Sequence, residues 1–361
     1  MSRTSREQVN LETFGGKRMR NKVLLVFLAL ILAVVPLLAA CPAPVPPPPV
    51  EPIKLTYANF PPAPTFPCVQ MERWADEVEA RTNGKVIIET FPGGTLLGAL
   101  AMFDGVLAGV ADIGISCPGY EPGRFPVLAI LDLPVGLPNT EVASYVMAKL
   151  VKELQPPSVA EFKVLTAFTS APAYIHTIDP VRNLEDLKGM ELRATGAAAP
   201  ILEALGGVPI AMPMTELPEA LAKGVVKGYL ASREVLMDFK FAEIVHYVTD
   251  YSTGTVAFLV VMNKDTWNAL PADVKKVMDD LYLEQAVWTG EYMDGHVKES
   301  LKWSQEEHGL QIITLSPEEQ ARWDALLEPA VDKWVEDMEA EGLPGQEMLD
   351  RLYELKEEYS K

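Results

Sequence analysis

Between Ile53 and Ser116 the chain alternates three strand-like runs with two helical ones, and the connections are short. IKLTYAN (53–59), KVIIETF (85–91) and ADIGIS (111–116) read as strands. An amphipathic helix with Met71, Trp74 and Val78 on one side is predicted over about 68–83, and a second helix around 98–109. Parallel strands need a crossover that a helix supplies, so this pattern predicts a mostly parallel sheet covered by helices.

The pattern recurs downstream. A helix is predicted over 139–154 and a strand at FKVLTAFT (162–169). LEDLKGMELRAT (184–195) reads as a helical turn followed by a strand, and a helix at 198–207 ends on glycine. VPIAM starts the next strand, TELPEALAKG (215–224) is helical, and VVKGYLAS (225–232) is strand and loop. These units predict a second sheet, whereas the apolar run VAFLVVMNK (256–264) is assigned back to the first. A long helical region is expected over about 272–307, and Ser316-Pro317 is a capped helix start leading into C-terminal helices.

Ahead of this globular part, Arg20 and Lys22 precede an apolar run from Val23 to Ala40. Its length admits a membrane-spanning anchor. The small residues of Leu38-Ala39-Ala40-Cys41 instead match a lipoprotein signal, cleaved so that Cys41 becomes the lipid-bearing first residue. Either reading places the globular part outside the cytoplasm at a membrane surface. Residues 1–18 fit no part of such a signal and are expected to be an upstream-start artefact, with the signal over 19–40. The proline-rich stretch 41–52 cannot form helix or sheet and predicts an extended tether of about 3 Å per residue.

The chain carries 31 basic and 50 acidic side chains, of which the first 40 residues hold six and two, so 25 stand against 48 from Cys41 onward. That balance disfavours a nucleic-acid partner. Among the four histidines no pair has metal-ligand spacing, and His296 and His308 are expected at the surface of the charged helical region. No nucleophile elbow, phosphate-binding loop or dinucleotide fingerprint is present. Glu121, Glu216 and Asp238 are scattered acids without the oxygen-ligand pattern of a calcium loop, so no metal and no cofactor are expected. Cys68 and Cys117 are either two buried thiols or one disulfide. Arg193 stands out, because ELRAT sets a guanidinium inside a strand expected to be partly buried. Such a group needs a partner: an internal acid, or the carboxylate of a ligand held bidentately.

Several segments, in order, carry a family resemblance. TNGKVIIETFPGGTLLG is followed by GVADIGIS, YEPGRFPVLAILDLP, NLEDLKGMELRAT, EALGGVPIAMPMTELPEALAKGVVKG and VMNKDTWNALP. Over nearly the whole sequence after Cys41 the chain resembles the extracytoplasmic solute-binding proteins of TRAP transporters, the DctP-like family. The resemblance implies a periplasmic-binding-protein-like α/β fold of two lobes with a ligand cleft between them and a long C-terminal helical region. On it, residues 53–168 with 257–297 form lobe I, and 169–256 with 298–361 form lobe II. It also implies a receptor, not an enzyme, that closes on a small organic acid and delivers it to the membrane subunits of a TRAP permease, while a lipid on Cys41 holds it to the cell membrane.

Arg193 falls on the family arginine that binds the ligand carboxylate. The family asparagine that often touches the ligand is Ala231 here, and no arginine lies between Arg124 and Arg182. Both changes remove polar partners, which implies a relatively apolar monocarboxylate: a branched, oxo-acid or aromatic body between aromatic walls. Candidates for those walls are Phe60, Tyr120, Phe125, Tyr174, His176 and Tyr229, with Ser232 as a replacement donor. Two other functions share or approach this pattern. A ligand-sensing lipoprotein presenting its closed form to a signalling receptor would have the same fold, and a secreted organic-acid enzyme would need a catalytic cluster that the sequence does not display.

Overall fold

The computed structural model describes residues 51–360. The expectations for residues 1–18, the signal segment 19–40, Cys41 and the tether up to residue 50 lie outside the described residues. Eleven strands are described: β1 (Ile53–Asn59), β2 (Val86–Phe91), β3 (Ile113–Ser116), β4 (Lys163–Thr169), β5 (Tyr174–Thr177), β6 (Glu191–Arg193), β7 (Val208–Ile210), β8 (Gly228–Ala231), β9 (Tyr247–Thr249), β10 (Ala257–Met262) and β11 (Gln311–Ile313). The helices of eleven residues or more are α1 (Phe66–Arg81), α2 (Thr140–Leu154), α3 (Ala272–His308), α4 (Pro317–Leu327), α5 (Pro329–Ala340) and α6 (Gly345–Tyr359).

The strands form two sheets, in the orders β2-β1-β3-β10-β4 and β11-β9-β5-β8-β6-β7. In the first, β1 runs parallel to β2 and β3, and α1 is the crossover that this pairing requires. Met71, Trp74 and Val78 bury the predicted face of α1, with the Trp74 ring edge-on to Tyr57 at 5.9 Å. Strand β10 enters from the far end of the chain, antiparallel to both β3 and β4, and every residue of AFLVVM is buried. The second sheet pairs β5 antiparallel to β8 and β9, and β6 parallel to β7 and β8. Both sheets are therefore mixed, not mostly parallel. The strands that make them so are the ones flanking the two passages of the chain between sheets.

Those passages lie side by side. Leaving β4, Ser170 N donates to Val256 O at 2.8 Å and Ala173 N to Gly254 O at 2.7 Å, on the segment that returns to β10. This two-stranded connection joins two α/β lobes. Helix α3, at 1.5 Å per residue about 55 Å long, spans both. Its Asp294 carboxylate accepts from Thr140 N at 2.9 Å in the first lobe, and its Ser300 hydroxyl donates to Arg233 O at 2.8 Å in the second. Gly309, at φ 67°, ends it. The Ser316 hydroxyl caps α4 by accepting from Glu319 N, as its sequence predicts. Helix α6 then lies against α2, where Tyr359 stacks on Tyr145 at 4.0 Å and donates to Glu141 Oε1 at 2.8 Å. Cys68 and Cys117 are buried and free, and the Cys68 thiol donates to Pro61 O.

Candidate functional site

A cavity sits where the two sheets meet. From the first lobe it is lined by Phe60 and Pro61 beyond β1, by Thr65, Phe66 and Pro67 at the start of α1, and by Phe258 on β10. The connecting segments contribute Ser170 and Val256. The second lobe contributes Arg193, Met214, Ala231, Ser232, Glu234, Val235, Asp238 and Phe239. Most of this lining is aromatic or aliphatic, and the polar groups lie at a few points.

Arg193 is the last residue of β6, paired with Tyr229 on β8 and Ile210 on β7, and only 3% of it is exposed. Its Nε donates to Met212 O at 3.0 Å, and its Nη2 lies 3.5 Å from Tyr120 Oη, the outer edge of a hydrogen bond. That phenol oxygen also accepts from Met214 N at 3.3 Å. Removal from water pushes the Tyr120 phenol well above its ordinary range, so it stays neutral and keeps a proton to donate. Its ring stands edge-on to Phe60 at 5.5 Å. No carboxylate pairs with Arg193 among the described residues. The internal salt bridge that would have given this arginine a purely structural role is absent there.

Two acids also line the cavity. Glu234, 1% exposed, accepts the Ser232 hydroxyl on Oε1, while its buried Oε2 has no partner. Burial raises its carboxyl to about 7, against the opposing pull of the Ser232 hydroxyl. Asp238 is fully engaged: it accepts from Phe66 N at 3.0 Å and meets His296 Nε2 at 2.7 Å. His296 is thus not the surface residue that its charged helix suggests. The hydrogen bond to Asp238 raises its pKa despite partial burial.

Of the residues expected to form the site, Arg193, Phe60 and Ser232 line the cavity and Tyr120 touches Arg193. The other four lie elsewhere. Tyr229 and His176 are opposite each other in the β5–β8 register, stacked at 4.6 Å, with Phe241 against Tyr229 at 5.1 Å. Tyr229 stands two residues short of the end of its strand, and the pair fills the core of the second lobe. Burial, with Arg233 nearby, lowers His176 to about 3, so the imidazole is neutral. Tyr174 lies under the Arg233 guanidinium, 3.5 Å from its ring centroid, and Arg233 is itself paired with Asp250. Phe125 packs on Phe103 at 4.8 Å. The sequence reading missed Thr65, Phe66, Met214, Glu234, Phe239 and Phe258, and weighed Asp238 only as a metal ligand. Glu234 had one available signal, its place two residues beyond a strand end already marked by Ser232. Phe66 and Phe258 had none, since an apolar residue facing a cavity reads like one facing a core.

The family model for bacterial extracellular solute-binding proteins of family 7, DctP, matches residues 61–337. A solved TRAP periplasmic solute-binding protein of Desulfovibrio salexigens DSM2638 is 49% identical, with a TM-score of 0.76 over 86% of this chain and 97% of that one. It is an open complex with the C-terminus of a symmetry mate bound in the ligand-binding site. A marine-metagenome TRAP solute-binding protein specific for aromatic acid ligands, in complex with metahydroxyphenylacetate, is 31% identical. Its TM-score is 0.81, over 86% of this chain and all of that one. The C4-dicarboxylate-binding periplasmic protein DctP of Rhodobacter capsulatus is 25% identical over 322 residues, covering 81% of this chain and 89% of that protein.

Proposed function

The chain belongs to the bacterial extracellular solute-binding protein family 7, the DctP-like receptors of TRAP transporters, and on that premise we propose that it captures a relatively apolar monocarboxylate through Arg193. Its family consists of transport receptors, not catalysts, and its coarse role is to bind a small organic acid outside the cytoplasm. One observation carries the finer reading. Arg193 is 3% exposed, has no acid partner among the described residues, and lines an apolar cavity between the lobes. A guanidinium in such surroundings is stabilised by a carboxylate that brings two acceptor oxygens to its fork.

The charge distribution supports one carboxylate over two. A second would meet Glu234 and Asp238, which line the same cavity. Like charges sharing one poorly solvated site repel, which disfavours a second carboxylate on the ligand. The curated dicarboxylate-binding relative, at 25% identity, therefore does not carry its ligand over to this chain. The 49% identical structure, with a peptide C-terminus in its ligand site, is in keeping with a single carboxylate on the arginine.

In this reading residues 53–168 with 257–297 close as lobe I against 169–256 with 298–361 as lobe II. The closed form passes its acid to a TRAP permease, and a lipid on Cys41 keeps the receptor at the membrane. Titration calorimetry with branched, 2-oxo and aromatic monocarboxylates and with C4-dicarboxylates tests the ligand class. Binding of a monocarboxylate that Arg193→Ala abolishes is the expected result; preference for a dicarboxylate overturns the assignment. Labelled fatty acid incorporated by the wild type but not by Cys41→Ser tests the anchor.

A further inference from the structure

We propose that the ligand also carries a hydrogen-bond donor, a hydroxyl or N–H group, besides its carboxylate, and that Glu234 receives it. The inference rests on the reading of Arg193 as the carboxylate anchor. It starts from an imbalance in the cavity lining. Glu234 lies on the turn after β8, 1% exposed, with Oε1 taken by the Ser232 hydroxyl and Oε2 buried without a partner among the described residues. Above about pH 7 this group is ionised, and a buried carboxylate oxygen left unmatched is costly, more so than a neutral acceptor.

The neighbours do not supply the missing donor. Asp238 is itself an acceptor, with one donor already on each oxygen, Phe66 N and His296 Nε2. The Tyr229 hydroxyl is itself buried without a partner, but it does not bond Glu234 and does not line the cavity. Thr65 Oγ1, fully buried and also unpartnered, lines the cavity as a second polar point. The remaining wall is apolar: Phe60, Phe66, Phe239 and Phe258 offer rings against which a flat or branched body packs. A ligand that places its carboxylate on Arg193, its body among these rings and a donor against Glu234 Oε2 satisfies both Arg193 and Glu234. One that ends in a methyl group leaves the carboxylate of Glu234 dry and unmatched.

Sites built to hydrogen-bond a ligand hydroxyl discriminate strongly against the analogue without it, because the buried acceptor is then stranded. The experiment is calorimetry on the purified protein with matched pairs of acids. Phenylacetate and 4-methylphenylacetate are set against 3- and 4-hydroxyphenylacetate and 4-aminophenylacetate, and branched aliphatic acids against their hydroxy derivatives. The expected result is roughly tenfold or greater tightening by the donor in at least one pair. Glu234→Leu should erase that preference. Equal affinities within every pair, with binding lost in Arg193→Ala, overturn the role of Glu234 and leave the carboxylate anchor standing. A donor preference that survives in Glu234→Leu also overturns it. Binding that is undiminished in Arg193→Ala overturns the anchor and this inference together. The wild-type comparison alone decides the matter if Glu234→Leu does not fold.

Discussion

Arg193 Nη2, on the second sheet, lies 3.5 Å from Tyr120 Oη, in the turn that follows β3 of the first. The same phenol oxygen accepts from Met214 N, so one hydroxyl of the first lobe meets two donors of the second. Arg193 is thus oriented by a hydroxyl from the other lobe. Tyr120→Phe keeps the ring edge against Phe60 and removes only this contact. Affinity for the bound acid is expected to fall roughly tenfold by calorimetry, with the melting temperature of the free protein little changed. Arg193→Lys keeps the charge but loses the fork, and a roughly hundredfold loss is expected.

Two glycines also let the lobes approach closely. A Cβ on Gly119 would stand 3.1 Å from Gly196 Cα, and one on Gly196 would stand 2.7 Å from Asp132 Oδ2. Gly196 further has φ 58°, where a side chain is strained. These residues follow β3 and β6, in different lobes, and their backbones meet only because neither has a side chain. Gly119→Ala is expected to hold the lobes apart. If the closed population drops to about a tenth, the apparent dissociation constant rises tenfold. Small-angle scattering should show a larger radius of gyration at saturating ligand than the wild type shows.

What the residues disclosed in advance follows from how local each cause is. Strand β10 was legible because AFLVVM is buried from end to end and needs no partner to explain it. Helix α1 announced its buried face through Met71, Trp74 and Val78. By contrast YIHT, YVT and QII, strands β5, β9 and β11, are three or four residues long and show no period of their own. Their extended backbone is set by the strands that flank them. The site divides in the same way. A guanidinium in ELRAT is anomalous by itself, whereas Glu234 in ASREV looks like a surface acid. What surrounds Glu234 comes from distant parts of the chain, through Phe66 on α1 and through Ser300 of α3, which binds the neighbouring Arg233 carbonyl. Four of the wall candidates, Phe125, Tyr174, His176 and Tyr229, lie away from the cavity for a related reason: a strand-end position does not say whether a ring turns toward the cleft or, like Tyr229, remains in the core.

Buried acids give the protein a pH dependence with a definite sign. Burial raises Asp132 and Glu234 to about 7, from ordinary values of 3.8 and 4.5. The folded state therefore holds protons that the unfolded state has released, and the resulting stabilisation is full below about pH 4 and lost as the pH rises through 7. His296, raised by Asp238, acts in the same sense, whereas His176, lowered to about 3 by burial, opposes it below about pH 6.5 and offsets only part of the effect. Surface acids lowered by ion pairs, such as Glu153 with Arg351, lose their contribution only at lower pH and leave this window alone. Urea unfolding at pH 5 and pH 8 should show the wild type less stable at pH 8, on the order of 2 kcal/mol for each buried acid. Glu234→Gln should flatten its share of that slope.

The long helix crosses the first lobe at a point that also excludes a side chain. A Cβ on Gly290 of α3 would lie 2.4 Å from Glu141 Cα and 2.7 Å from Thr140 O, both backbone atoms of the first turn of α2. Neither can swing aside as a flexible side chain would. One turn further along, the Asp294 carboxylate accepts from the Thr140 and Glu141 amides, so the same turn of α2 is held by two residues of α3. Gly290→Ala raises intrinsic helix propensity by up to about 1 kcal/mol. Separating the helices, however, loosens the contacts around the crossing, and overpacking of this kind costs about 1–3 kcal/mol. The clash should win, because the amides that face Asp294 lose geometry at the same time. The expected outcome is a net loss of about 1–2 kcal/mol in urea unfolding. A gain in stability would mean that α3 can shift on α2 without disturbing the Asp294 contacts.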